Sequence, residues 1–178
     1  MDILALSGSL RKASYNTLAI KALKLMAPSD VDITIGSIRD LPLFNPDQEA
    51  DEIPALDTLV RLLKQSDGLI ISSPEYAHGV SGPMKNALDW LVSGTEFVDK
   101  PVMLINTSPR ASHAQSALKE ILVTMSANVI ESACLSIPLL GRDLDVDGVI
   151  NDIAIASVLK ASLNEFYLAV NARKLIFE

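Results

Sequence analysis

The chain has 178 residues, 49% of them apolar and 21% charged, which reads as one folded domain able to bury a substantial core. Fifteen Lys and Arg stand against 22 Asp and Glu, a net charge of −7; so acidic a surface repels phosphate polymers, so no nucleic-acid partner is expected. The lone cysteine, Cys134, excludes a disulfide within the chain and suits a reducing, cytoplasmic setting.

The first residues, Met-Asp-Ile-Leu-Ala-Leu, lack a basic leader and read as a core strand over 3–6, closed by the turn Ser7-Gly8-Ser9. Residues 14–27 carry apolar positions at helical spacing, and Pro28 stops that helix. A strand is predicted over 31–35, a proline-rich loop over 36–54, and a helix over 55–65 with Leu56, Leu59, Val60 and Leu63 on one stripe. The run Leu69-Ile70-Ile71 is apolar throughout, as expected of a strand covered on both faces. A helix over 84–91, a strand over 102–105 and a helix over 114–126 follow. The last strand is placed within 129–137 and one long helix over 149–171. No uninterrupted apolar run reaches the ~20 residues that cross a bilayer, and no membrane partner is expected.

This alternation predicts an α/β three-layer sandwich, a single domain over 1–178, with a five-stranded parallel sheet in the order 2-1-3-4-5. Ligands of such sheets bind beyond the carboxyl ends of the strands, where the order reverses. The loops after the first, third and fourth predicted strands meet there, and they hold the unusual segments of the chain.

The first segment, residues 8–17, sets Ser9, Ser14, Asn16, Thr17 and Arg11 around a helix start, where bare N–H groups favour a phosphate monoester. Its alternative is an ordinary polar turn with Ser14 capping the helix. It lacks both the Gly-Lys-Ser/Thr ending of a P-loop and the Gly-x-Gly-x-x-Gly pattern. The second segment, Pro74-Glu75-Tyr76-Ala77-His78-Gly79, is stiffened by proline and glycine and offers an aromatic, an imidazole and backbone amides to a planar ring. Its alternatives are a core or surface Tyr76, an idle His78 and a solvated Glu75. The third, residues 107–113, offers Ser108, Arg110 and Ser112, or else a polar turn that caps the next helix. His78 and His113 have no ligand-like spacing, so no metal is expected; Cys134 is expected to be a small buried residue.

The run Gly8-Ser9-Leu10-Arg11-Lys12-x-Ser14-x-Asn16 resembles the phosphate loop of the NADPH-dependent FMN reductase family. Residues 74–90, with Pro74-Glu75-Tyr76-x-His78-Gly79 and Met84-Lys85-Asn86-x-x-Asp89-Trp90, resemble its second signature, and Leu41-Pro42-Leu43-Phe44-Asn45-x-Asp47 is similar to its loop after strand two. The resemblance covers residues 1–126. It implies a flavodoxin-like fold and non-covalent FMN, with Ser9, Arg11, Ser14, Asn16 and Thr17 around the phosphate. Pro74, Glu75, Tyr76, Ala77, His78 and Gly79 would lie along the flavin ring, with Ser108 nearby. It further implies NAD(P)H as co-substrate, hydride transfer with no catalytic side chain, a quinone, azo, flavin or oxyanion acceptor, and a homodimer or homotetramer. The family's glycine-rich stretch after strand four is replaced here by Ser108-Pro109-Arg110-Ala111-Ser112, which restricts backbone approach. Two other functions fit the same fold: a flavin electron carrier without reductase turnover, and a phosphoryl-ligand sensor.

Overall fold

A computed structural model describes residues 1–177, of which 175–177 are described by their backbone alone. Strand β1 (Asp2–Ser7) leads into helix α1 (Tyr15–Met26), β2 (Asp32–Gly36), α2 (Pro54–Gln65) and β3 (Gly68–Ser72). A two-stranded hairpin, β4 (Glu75–Tyr76) and β5 (Gly79–Val80), precedes α3 (Gly82–Leu91), β6 (Pro101–Asn106) and α4 (Ser112–Thr124). The chain closes with β7 (Asn128–Val129), β8 (Leu135–Ser136), α5 (Val146–Asn151) and α6 (Ile153–Phe177).

The central sheet is parallel, in the order β2-β1-β3-β6-β7, with β8 also on the outer edge of β6. This is the flavodoxin-like order 2-1-3-4-5 expected from the sequence, with the fifth strand divided in two. Alternation along each strand creates the two cores. Ile3, Ala5, Ile70, Met103 and Ile105 pack against Ala19, Ile20 and Leu23 of α1 and Leu159, Leu163 and Phe166 of α6. On the other face, Leu4, Leu6, Leu69, Ile71, Val102 and Leu104 meet Leu59 and Leu63 of α2, Leu88 of α3 and Leu118 and Leu122 of α4.

Two expectations need correction. The strand expected within 129–137 is interrupted by a 3-10 turn at Glu131–Ala133. Val102 pairs with Val129 and Ile105 with Leu135, so the N–H of Leu104 between them loses its backbone partner. The thiol of Cys134, which is half-buried where full burial was expected, accepts that N–H at 3.4 Å. Burial also raises the Cys134 pKa above its ordinary value, which keeps the sulfur protonated.

The helix expected over 149–171 is two helices. Asp152 breaks it, accepting at Oδ1 from the N–H groups of Ala154 and Ile155, both at 3.1 Å, and pairing with Arg142 at 2.9 Å. Apolar spacing runs on across the break, which is why periodicity hides it. By length and composition α6 could cross a membrane, but its apolar side, with Leu159, Leu163 and Phe166, is packed into the core.

At the end of the sheet away from the strand carboxyl termini, Lys100 is buried and donates from Nζ to the carbonyl oxygens of Leu63, at 2.9 Å, and of Ser66. A cation there meets the negative end of α2. Burial pulls the Lys100 pKa below the ordinary lysine value.

The Leu104 N–H supplies the first prediction. Cys134→Ala leaves this buried donor without an acceptor and should lower stability by about 1–3 kcal/mol, whereas Cys134→Ser, which restores an oxygen acceptor, should recover part of it. Urea midpoints of the three proteins measure this; equal midpoints for the Ala and Ser variants would remove the sulfur from the account.

Candidate functional site

The loops that follow β1, β3 and β6 converge at the carboxyl edge of the sheet, and buried hydrogen bonds hold them together. Asn16, in the first turn of α1, is buried, and its Oδ1 accepts from the hydroxyls of Ser72 at 2.9 Å and Thr107 at 3.2 Å. One carboxamide oxygen thus ties α1 to the ends of β3 and β6. Ser81 is fully buried and donates to the carbonyl of Gly8 at 2.7 Å, with the Ser73 hydroxyl 3.2 Å away. It precedes α3 but makes no cap for it. Gly8 is required by this closeness: a Cβ there would come within 2.3 Å of the Ser73 oxygen.

These ties leave a cavity of about 270 Å³ over the switch in strand order. Of the residues expected at the site, the structure places Ser9, Arg11, Ser14, Asn16, Pro74, Glu75, Tyr76 and Ser108 in its lining. Thr17, Ala77, His78 and Gly79 do not line it. The hydroxyl of Thr17 is spent on Ser7 at 2.9 Å. Ala77 and His78 form the tip of the β4–β5 hairpin, both with positive φ (49° and 59°), and Gly79 lies on the returning strand. Tyr15, Ser73, Asn106, Thr107, Arg110, Ala111 and Leu140 also line the cavity. Arg110 and Thr107 were visible as polar members of the third segment; Leu140, beyond the last strand, gave no signal.

Ser14 is the N-cap of α1, its Oγ accepting from Thr17 N–H at 3.3 Å. The polar-turn reading is therefore correct as far as it goes, but it accounts for one donor only. Among the described residues the N–H groups of Lys12, Ala13, Tyr15 and Asn16 have no protein acceptor. With Arg11 beside them, free of any ion pair, they are suited to a phosphate dianion at the positive end of a helix. Arg39, in the loop that follows β2, supports this loop by donating to Leu10 O at 2.7 Å.

Glu75 organises the opposite wall. Its Oε2 accepts from Ala114 N–H, in the first turn of α4, at 2.8 Å, and its Oε1 lies 3.2 Å from His78 Nδ1. α4 has no side-chain cap of its own, so Glu75 caps it from the hairpin. The His78 and His113 rings meet edge to face at 4.6 Å, which closes hairpin against helix. The Ala114 N–H, followed by the two imidazoles, lowers the Glu75 pKa below the ordinary carboxyl value.

The glycine-free third loop still reaches the cavity. Pro109 and Arg110 sit at the centre of a turn in which Ala111 N–H bonds Ser108 O at 3.1 Å, a place where proline is at home. Part of the second signature acts elsewhere. Asn86 accepts from Phe44 N–H at 2.8 Å and donates to Pro42 O at 2.9 Å, and Trp90 Nε1 also donates to Pro42 O, at 2.8 Å. The loop after β2 is clamped to α3 by these side chains.

The model of the NADPH-dependent FMN reductase family matches residues 1–139. The chain belongs to that family. It is 34% identical over 138 residues to a quinone reductase of Escherichia coli strain K12, covering 73% of each chain. It is 28% identical over 176 residues to an NAD(P)H-dependent FMN reductase of Pseudomonas aeruginosa, covering 96% of this chain and 95% of the other. The solved structure of a flavoenzyme NAD(P)H:(acceptor) oxidoreductase from Paracoccus denitrificans superposes with a TM-score of 0.83 at 27% identity, covering 96% of this chain and 97% of that one.

Two predictions follow from the ties of this family member's site. Asn16→Ala leaves the Thr107 hydroxyl without its acceptor, while Ser72 Oγ keeps the Ile105 carbonyl at 3.1 Å, and should cost about 1–3 kcal/mol in denaturant unfolding; an unchanged midpoint would show that the ends of β3 and β6 need no such tie. The Glu75 clamp carries a pH signature. Its folded pKa is depressed, so its contribution is complete above the ordinary value of 4.5 and lost as pH falls through the lowered value. The protection of the Ala114 amide, measured against its intrinsic exchange rate, should therefore fall only as the pH drops below 4.5, and in Glu75→Gln this acid step should vanish.

Proposed function

We propose that the chain binds FMN non-covalently in this cavity and passes reducing equivalents from NAD(P)H to a small-molecule acceptor, with quinones, azo compounds, flavins and metal oxyanions as the acceptor class. The observation that carries the reading is the set of bare N–H groups at the start of α1 beside Arg11, in a member of the FMN reductase family. The donor set fits the cofactor: Ser9, Arg11, Ser14 and the amides of residues 12–16 would hold the phosphate. Pro74, Glu75, Tyr76 and Ser108, with Ala111 and Leu140, would border the flavin. Thr17, Ala77, His78 and Gly79 act in this reading through the backbone and by shaping the loops.

When bound, FMN supplies the two-electron chemistry, taking hydride from a reduced nicotinamide and giving it to the acceptor. The protein holds the phosphate, fixes the hairpin and the 107–111 loop on either side, and leaves one side open. No side chain need donate or remove a proton, so no catalytic residue is assigned. Arg110, without an ion pair among the described residues, would favour negative charge near the mouth. Tyr76 and Leu140 are about half exposed there (53% and 51%), and a second copy covering them in a homodimer or homotetramer is part of this proposal, as is a cytoplasmic location. An electron carrier without reductase turnover is not favoured by the relatives, which are named as reductases.

The test is titration of apoprotein with FMN. The complex should be yellow and bleach on addition of NADPH, and Arg11→Ala should weaken FMN by about 1.5–3 kcal/mol, roughly ten- to a hundredfold. A protein that stays colourless with excess FMN would end the reading, and an unchanged affinity in Arg11→Ala would take that side chain out of the site.

A further inference from the structure

Two segments that hold each other form one lip of the cavity. In the turn after β6, Ser108 N–H donates to Asn106 Oδ1 at 3.0 Å and Arg110 N–H to Ser108 Oγ at 3.3 Å. Pro109 precedes Arg110 and residues 107–113 contain no glycine, so the backbone under the guanidinium is restricted. Leu139 and Leu140 both donate their N–H to Thr107 O, at 3.2 and 3.3 Å, which fixes Leu140 beside the same turn. Leu140 lies one residue past the stretch that the family model matches, 1–139, so this part of the lip is the chain's own. The charges around the cavity do not balance. Its lining has two cations, Arg11 and Arg110, and one carboxylate, Glu75. Both oxygens of Glu75 are engaged, by Ala114 N–H and by His78. Among the described residues the Arg110 guanidinium has neither a hydrogen bond nor an ion pair.

We propose that Arg110 and Leu140 select the electron acceptor, favouring an aromatic molecule with a single anionic group, a sulfonate or carboxylate, over its neutral counterpart. The inference rests on the FMN reading and narrows its acceptor class. Arg11 is committed to the flavin phosphate in that reading, which leaves Arg110 as the one uncompensated charge of the site. A guanidinium meets a sulfonate or carboxylate with a fork of N–H donors and also lies flat on a ring, while Leu140 gives the ring an apolar edge. A pyrophosphate would leave one of its two charges unmet here, whereas one anionic group is met in full. A second copy over Tyr76 and Leu140 would form a further wall of the same mouth. With a quinone as acceptor, NAD(P)H supplies two electrons and one proton by way of the flavin and water supplies the second proton. The products are the hydroquinone and NAD(P)⁺, and the sulfonate is unchanged.

The FMN-loaded protein and the apoprotein are each titrated calorimetrically at low ionic strength with naphthalene-2-sulfonate and with naphthalene-2-sulfonamide, a neutral mimic of nearly the same shape. Turnover is measured with 1,4-naphthoquinone-2-sulfonate and with 1,4-naphthoquinone. The loaded wild type should bind the sulfonate at least about tenfold more tightly than the sulfonamide, a preference that shrinks with added salt. Arg110→Gln should bind the two alike, and its kcat/KM should fall about tenfold more for the sulfonated quinone than for the neutral one. Arg110→Lys should restore part of the preference, and Leu140→Ala should weaken both naphthalenes equally. Equal binding by the wild type, a preference that survives in Arg110→Gln, or a matching rise in KM for NADPH in that variant, which would give the cation to the nucleotide, would each overturn the proposal. FMN binding without a sulfonate preference would sink the subsite and leave the cofactor reading in place. A protein that takes no FMN yet prefers the sulfonate through Arg110 would keep the anion subsite and end the flavin reading.

Discussion

The site depends on where the N-terminus of α1 is held. Bare amides attract an anion only from a fixed position, and the four at residues 12–16 are held because Asn16 anchors the first turn to Ser72 and Thr107. The anchor sits at the reversal of strand order, where β3 and β6 end side by side with β1. Gly8 and Ser81 complete it by letting the first loop lie against Ser73 with no side chain between. These polar groups are buried and satisfied, so they specify one arrangement at little cost; removing a partner leaves a desolvation penalty wherever the group left behind has no second acceptor, as at Thr107.

The facing wall is held differently. A two-residue hairpin turn normally uses glycine or asparagine, because both central residues need positive φ. Here Ala77 and His78 occupy those positions, at roughly 1–2 kcal/mol each. Neighbouring contacts offset that strain: Glu75 caps α4 from across the loop, and the two imidazoles stack edge to face. The hairpin is thereby bound to the helix behind the third loop. A flexible glycine turn would leave the Pro74–Tyr76 wall free to shift relative to residues 107–111, which is the gap a flat ring must enter.

Much of this was legible in the sequence. Strands β1, β3 and β6 are continuous apolar runs between turn residues, and their order with the intervening helices gives the parallel sheet. The fifth strand was less legible because its break depends on a sulfur accepting Leu104 N–H, a tertiary contact with no periodic trace. The α5–α6 break at Asp152 was missed because apolar spacing continues through it, although an aspartate before Ile153 is the cap signal that could have marked it. At the site, residue type identified Ser9, Arg11, Ser14 and Asn16 but did not tell which side chain faces ligand and which is spent inside. Thr17 looks like a ligand residue and serves Ser7; Ser112 looks like a cap, and Glu75, far earlier in the chain, does the capping.

The same division runs through the motifs that carry the family resemblance. Pro74, Glu75 and Tyr76 border the cavity, while Asn86 and Trp90, in the same signature, hold the loop after β2. Among the described residues that loop has no backbone partner in the sheet and contains Pro42 and Pro46, so without the carboxamide of Asn86 and the indole N–H the Pro42 carbonyl would find only water. Phe44 packs edge to face on Trp90 at 5.1 Å and gives the clamp an apolar side. Leu43 is left 84% exposed between two anchored neighbours, so its position is set by the clamp and not by burial. A signature of this kind therefore records two different constraints, the surface offered to a ligand and the scaffold that fixes it. Only coordinates separate them, because both call for the same polar side chains beside proline and glycine.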